Sequence, residues 1–203
     1  QKTVWWICKM GAHDLIALFD MDGTLFDYEG ALKEELEKIK YPGEPEIDFN
    51  FKDNPQYIKN RIDLITKSES FWNDMPKFQL GWDVLEIAKK LDYDIMILTQ
   101  GPRKNPSAWS GKKKCIDKHF GEDFDITLTR NKSLIYGKIL VDDFPGYIRE
   151  WVKWRKNGKV IMPANNFNKD YHHPQVLRYD GSNLEEVREI FKEMKMNTLI
   201  LNP

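Results

Sequence analysis

Two carboxylates, Asp20 and Asp22, close the apolar run Leu15-Ile16-Ala17-Leu18-Phe19 and are followed by Gly23-Thr24. A strand sends alternate side chains to opposite faces, so both Asp residues leave its C-terminal end on the same side. Open α/β sheets carry their ligand chemistry at that end. Two carboxylates aimed one way repel unless a cation or a shared task compensates. Gly23 permits a tight turn. The Thr24 hydroxyl and the freed backbone N–H groups can face an anion.

Three later stretches carry compatible chemistry. Ile95-Met96-Ile97-Leu98-Thr99-Gln100-Gly101-Pro102 sets a hydroxyl at a strand end before a Gly-Pro turn, where it can donate to a phosphoryl oxygen. Leu128-Thr129-Arg130-Asn131-Lys132 offers a guanidinium fork at Arg130 and a point charge at Lys132. Ile139-Leu140-Val141-Asp142-Asp143 again ends an apolar strand in carboxylates. Mg²⁺ prefers oxygen ligands and keeps several waters, so Asp20, Asp143 and one backbone carbonyl suit a partial shell. Two acidic strand ends, with a Thr and a Lys in order between them, point to metal-assisted phosphoryl chemistry.

The elements that must position these residues alternate in type, the pattern of an α/β fold with a parallel sheet. Strands are predicted at Leu15–Phe19, Asp94–Leu98, Asp125–Leu128, Ile139–Val141, Lys159–Met162 and Val176–Tyr179. Trp82–Leu91 reads as a helix with Val84, Leu85, Ala88 and Leu91 on one face. Asn183–Met196 reads as another, capped by Ser182 or Asn183, with Leu184, Val187, Phe191 and Met194 as its stripe. Between the first strand and the next core element lies an insertion, residues 30–76, with helices at Ala31–Lys40 and Asn54–Lys67. Tyr41-Pro42-Gly43-Glu44-Pro45 breaks the first of them. Such a block can cover the site's mouth and exclude water. Its alternative is a peripheral excursion.

A length of 203 residues suits one compact domain with a small insertion. Basic and acidic residues number 31 and 32, so no basic excess announces nucleic acid or a membrane surface. No apolar run approaches a membrane span. Val4-Trp5-Trp6-Ile7-Cys8 is too short for a secretory core and lacks a cleavage-like tail. It can be an extra strand, an upstream extension or added residues. Cys8 and Cys115 read as reduced thiols of a cytoplasmic protein.

The order Asp20-x-Asp22, Thr99, Lys132, Asp142-Asp143 resembles the four motifs of the haloacid dehalogenase superfamily. Several stretches look more narrowly like the 5′(3′)-deoxyribonucleotidases: Phe19–Leu25, Phe71–Pro76, Ile97–Thr99, Asp117–Gly121, Leu128–Lys132 and Val141–Asp143. The resemblance implies a Rossmann-like three-layer core with a parallel sheet and a small helical cap after the first strand. That divides the chain into core at 1–29 (with an N-terminal extension, 1–13), cap at 30–76 and core at 77–203. It implies a Mg²⁺-dependent enzyme that removes phosphate from deoxyribonucleoside monophosphates.

Asp20 would then be nucleophile and metal ligand. Asp22 would be general acid and base, and its backbone carbonyl a second ligand. Asp143 would bind Mg²⁺, with Asp142 supporting the metal shell. Thr99 and Lys132 would hold the phosphoryl group beside Gln100 and Arg130. Tyr28 would lie beside the nucleotide, and Phe71 in a base pocket. Asp20 would attack phosphorus while Asp22 protonates the leaving oxygen, and Asp22 would then activate water. Neighbouring carboxylates raise the Asp22 pKa and Mg²⁺ lowers it. Gln100 replaces a Ser of the mammalian enzymes, and Ile65 stands where they hold a pocket Trp. The resemblance is compatible with a homodimer.

Two other function classes remain open. One is a phosphatase of the same superfamily acting on nucleic-acid 3′ ends or sugars; the near-zero net charge argues against the first and the aromatic residues near the cap against the second. The other is a non-catalytic protein that binds a nucleotide or partner, against which the retention of both Asp20 and Asp22 argues. His172-His173 reads as a surface loop and Lys112-Lys113-Lys114 as a solvated helix start. Trp151 and Trp154 read as aromatics that an amphipathic helix packs on the core.

Overall fold

The computed structural model describes residues 15–45 and 54–201, with side chains through Thr198. The N-terminal segment with Val4–Cys8 and part of the insertion, 46–53, lie outside the described residues.

Six parallel strands form one sheet: β1 (Ile16–Phe19), β2 (Asp94–Thr99), β3 (Ile126–Leu128), β4 (Ile139–Val141), β5 (Lys159–Pro163) and β6 (Val176–Tyr179), in the order β3-β2-β1-β4-β5-β6. The strand assignments from sequence hold to within a residue at each end. Burial alternates between two cores with the strand period of two. Ala17, Phe19, Ile97, Ile139, Val141 and Ile161 face one core, and Leu18, Leu98, Leu140, Val160 and Met162 face the other. A sheet covered on both faces explains the continuous apolar runs.

Among the described residues seven α-helices accompany the sheet: α1 (Tyr28–Lys38), α2 (Gln56–Thr66), α3 (Glu69–Asn73), α4 (Gln79–Lys90), α5 (Pro106–Phe120), α6 (Pro145–Trp154) and α7 (Leu184–Leu201). Val84, Leu85 and Ala88 of α4, Ala108 and Ile116 of α5, and Val187 and Phe191 of α7 close the first core. Ile148, Trp151 and Val152 of α6 close the second. Only half of the tryptophan expectation is met. Trp151 is fully buried, whereas Trp154 is 64% exposed at the last residue of α6.

The insertion after β1 is helical, as expected, although α1 begins three residues earlier than its apolar pattern suggested. Asp27 sets that start, its Oδ1 accepting from the Gly30 N–H at 2.8 Å. Asn105 caps α5 through Ala108 N–H and also donates from Nδ2 to the Thr66 carbonyl, which joins α2 to the core. Packing of α3 on α5 is tight. A Cβ on Gly111 would lie 2.5 Å from the Glu69 carbonyl oxygen, so only glycine lets the helices approach this closely.

Candidate active site

β1 is the strand at which the sheet order reverses: β2 and β3 lie on one side of it, and β4 to β6 on the other. Such a reversal opens a crevice at the strands' C-terminal ends. Asp20 follows β1, Asp142 and Asp143 follow β4, and Thr99 ends β2. Hydrogen bonds set their register: Asp20 N–H to Val141 O at 2.8 Å, Asp142 N–H to Ile161 O at 3.2 Å, and Thr129 N–H to Thr99 O at 3.0 Å. The predicted site residues at the ends of β1, β2 and β4 therefore converge.

Lys132, in a short 3-10 turn at Lys132–Leu134, is buried between two of them. Its Nζ lies 2.7 Å from Asp20 Oδ1 and donates to Asp142 Oδ2 at 2.7 Å, 4.7 Å above the Tyr147 ring. Burial alone would lower its pKa, but the adjacent Asp142 and Asp20 outweigh that and hold it raised. An ammonium has three N–H donors, so one is left for a ligand.

Asp20, Asp142 and Asp143 bring carboxylate oxygens within 4.8 Å of one another. Burial, aided by Asp142 and Asp20, pushes the Asp143 carboxyl well above the usual range. For Asp142 burial likewise dominates, opposed by Lys132, and leaves it at about 6. This is negative charge that the protein alone leaves undercompensated, and an all-oxygen donor set suits a hard divalent cation. Asp142 is the least free of the three. Its Oδ1 accepts from Phe144 N–H at 2.9 Å and its Oδ2 from Lys132, which fits support of a metal shell better than direct ligation.

The Thr24 hydroxyl faces a carboxyl of the protein itself. It is buried and donates to Asp143 Oδ1 at 3.3 Å, because the tight turn at Gly23 folds it under the Asp143 loop. Arg130 sits at the rim, exposed, and donates from Nη1 to the Gly101 carbonyl at 3.2 Å. Gln100 Oε1 accepts from the Tyr147 hydroxyl. Tyr28 stacks on Trp72 with centroids 5.7 Å apart and meets Phe71 edge-on at 5.8 Å. Tyr28 thus joins α1 to α3, and its hydroxyl pKa is raised by burial and by Asp22.

Lys112 overturns its reading as part of a solvated run. It is fully buried, whereas Lys113 and Lys114 reach Asp117 and Glu69 at the surface. The run lies mid-helix in α5, so three successive residues point about 100° apart and one of them must turn inward. Lys112 Nζ donates to Asp22 Oδ2 at 2.5 Å, Thr99 Oγ1 at 3.0 Å and the Gln100 carbonyl at 2.7 Å. Asp22 Oδ1 is buried with no hydrogen-bond partner among the described residues. Burial raises the Asp22 pKa, Lys112 opposes this and Asp20 reinforces it; the balance is upward. Tyr147 was also missed, since a Tyr two residues after Phe144-Pro145 carries no signal beyond helix start. His172 and His173 lie in a loop, outside the one cluster of metal-ligating side chains among the described residues.

The chain is 30% identical over 148 residues to human mitochondrial 5′(3′)-deoxyribonucleotidase, which covers 66% of this chain and 64% of that relative. Against the human cytosolic-type 5′(3′)-deoxyribonucleotidase it is 30% identical over 146 residues, covering 65% of this chain and 72% of the relative. The chain therefore spans somewhat under two thirds of the mitochondrial relative's length. No family model matches it. Among solved structures, a protein from Burkholderia xenovorans described as a haloacid dehalogenase-like hydrolase superposes with a TM-score of 0.51 at 14% identity, covering 93% of this chain and 99% of that one. That likeness is one of fold.

Proposed function

Because this chain belongs to the 5′(3′)-deoxyribonucleotidase family of the haloacid dehalogenase superfamily, we propose that it is a Mg²⁺-dependent phosphomonoesterase that dephosphorylates deoxyribonucleoside monophosphates through an aspartyl phosphate on Asp20. The observation that carries the reading is the contrast between Asp20 and Asp22. Asp20 is braced by Lys132, whereas Asp22 has one oxygen gripped by Lys112 and the other buried and without a partner among the described residues. A nucleophile needs a fixed carboxylate. An acid and base needs an oxygen free to exchange a proton and a pKa drawn toward neutrality.

In the first half-reaction an Asp20 oxygen attacks phosphorus in line. The P–O bond to the nucleoside breaks, and Asp22, whose pKa burial shifts upward and so toward the acid form, gives that oxygen its proton. In the second, Asp22 as carboxylate takes a proton from water, and the water oxygen releases phosphate and restores Asp20. Phosphoryl transfer depends mainly on positioning and charge compensation. The free N–H of Lys132 and the Thr99 hydroxyl supply the protein's share. Lys112 improves the latter: since its ammonium donates to Thr99 Oγ1, the Thr99 proton is left to point at a phosphoryl oxygen. Asp20, Asp143 and the Asp22 carbonyl would hold Mg²⁺, which when bound supplies Lewis-acid charge neutralisation at the phosphoryl oxygens.

We assign helices α1 to α3 to the cap, residues 30–76, which is inserted in the core at 1–29 and 77–203 and packs on it through α3 against α5. Tyr28 and Phe71, which pack edge to face at the first core, are the aromatics we assign to the cap's substrate side, where a nucleobase rather than a bare sugar would find a π surface. The substrate is a small-molecule nucleotide; nucleic acid is not a partner, and the enzyme is cytoplasmic. No helix among the described residues is long and apolar enough to cross a membrane.

The test is release of inorganic phosphate with Mg²⁺ across 5′ and 3′ monophosphates of deoxy- and ribonucleosides, sugar phosphates and a 3′-phosphorylated oligonucleotide. Preference for deoxynucleoside monophosphates, abolished by EDTA and restored by Mg²⁺, is the expected result. Release from sugars or oligonucleotide ends alone would overturn the substrate class.

A further inference from the structure

Asp143 is held from three sides. Asn165 Nδ2 donates to its Oδ2 at 2.7 Å, Thr24 Oγ1 to its Oδ1 at 3.3 Å, and Asn168 Nδ2 to its carbonyl oxygen at 3.0 Å. Neither amide is free to swing. Asn165 Oδ1 accepts from the N–H groups of Phe167 and Asn168, each at 3.0 Å, in a local Asx turn. Asn168, fully buried, donates also to Pro163 O at 2.8 Å and accepts at Oδ1 from Asn165 N–H at 3.1 Å and Arg178 Nε at 3.0 Å. Arg178 Nη2 donates to the Asn165 carbonyl at 3.2 Å. A guanidinium on β6 is thus tied through two amides to a carboxylate after β4, with both amide oxygens engaged.

This makes the two oxygens of Asp143 unequal. Oδ2 carries the short bond from Asn165 and is also the atom closest to Gly23, where an added Cβ would lie 2.5 Å from it. It is walled by an amide on one side and backbone on the other. Oδ1 takes the longer contact, from a hydroxyl that can rotate, and lies farther from the Gly23 position, where an added Cβ would be 3.0 Å away.

We propose that Asn165 is a specificity-determining residue of the metal site, holding Asp143 as a one-oxygen ligand and so favouring Mg²⁺ over Ca²⁺. The inference rests on the reading of Asp143 as a metal ligand. Mg²⁺ demands a compact octahedron, keeps waters and takes carboxylates through single oxygens. Ca²⁺ accepts six to eight oxygens and readily takes a carboxylate through both. Partners that orient a ligand typically change metal affinity by about 10–100-fold when removed.

Calorimetric titration of MgCl₂ and, separately, CaCl₂ into the full chain tests this, comparing wild type, Asn165→Ala, Arg178→Met and Asp143→Asn. Each variant's metal-induced rise in Tm is read against its own metal-free melt, which separates metal binding from lost stability. Asn165→Ala should weaken Mg²⁺ by about tenfold while Ca²⁺ falls less or not at all, so that the affinity ratio narrows. Arg178→Met, which loosens the amides from behind, should move the ratio the same way by less. If Asp143→Asn loses Mg²⁺ binding but Asn165→Ala keeps the wild-type ratio, the inference fails and the metal reading stands. If wild type binds no Mg²⁺, or Asp143→Asn binds it as well as wild type does, both fail.

Discussion

Lys112 Nζ and Asp22 Oδ2 lie 2.5 Å apart, with the lysine fully buried and the carboxylate 28% exposed. All three donors of this lysine are committed, to Asp22, Thr99 and the Gln100 carbonyl. It therefore has no hydrogen to offer a substrate and acts through the groups it holds. Lys132, with one donor in reserve, can touch a phosphoryl oxygen directly.

Lys112→Met should accordingly lower kcat by about 10²-fold or more, the usual share of a positioned acid and base, with a smaller change in KM. Lys112→Arg should recover part of kcat, since it restores the charge but not the three-way geometry. A loss confined to KM would mean that Lys112 binds substrate instead.

Asp20→Asn should abolish turnover, by about 10⁴-fold or more as for other covalent nucleophiles, while the chain stays folded. Lys132 keeps its bond to Asp142 in that variant, so the buried ammonium is not left without a partner. Phosphate release after careful purification, read beside a circular-dichroism melt, checks this. Wild-type rates would remove Asp20 as the nucleophile.

These two residues differ in how far sequence exposes them. Asp20, Asp22, Asp142 and Asp143 stand at the ends of apolar strands, and strand period and strand-end placement are local properties that a sequence carries openly. The six strands were legible for the same reason. Lys112 was not, because nothing in Lys112-Lys113-Lys114 says which lysine turns inward. That depends on the close approach of α3 at Gly111 and on acceptors some 90 residues earlier in the chain at Asp22 and only 13 at Thr99. Asn165 and Asn168 lay in a loop whose amides acquire meaning only once β5 and β6 bring them under Asp143. Trp154 misled because composition near a helix end does not fix which face its last turn presents.

Mg²⁺ affinity should rise with pH through the mildly acid range. Without the cation, burial holds Asp142 at about 6 and Asp143 well above the usual carboxylate value, so protons occupy the charge that a metal would meet. The same shift has a stability consequence. A carboxyl whose pKa is raised on folding stabilises the native state below its unfolded value, and that contribution is lost as pH climbs through its folded value. For Asp142 the window runs from 3.8 to about 6. The Tm increment given by Mg²⁺ should therefore grow as pH rises from about 5 to about 7, through the Asp142 value of about 6. An increment independent of pH over that range would refute the link between these carboxyls and the cation.

Gly23→Ala should damage the site and the fold together. Gly23 has φ +73°, where an alanine is strained, and its added Cβ would meet Asp143 Oδ2 at 2.5 Å, Cγ at 2.8 Å and Oδ1 at 3.0 Å. The backbone conformation alone costs about 1–3 kcal/mol. Relief of the clash must come from Asp143, because the turn itself is fixed: Gly23 N–H donates to Phe26 O at 2.8 Å, and the N–H groups of Leu25 and Phe26 converge on Met21 O at 3.0 and 2.9 Å. Displacing Asp143 would break its bonds to Asn165 and Thr24. Metal affinity should thus fall by more than the fold is destabilised, and raising Mg²⁺ should recover part of the lost phosphate release. A variant with lowered Tm but unchanged Mg²⁺ affinity would show that the turn can move as a body and that Gly23 serves the backbone alone.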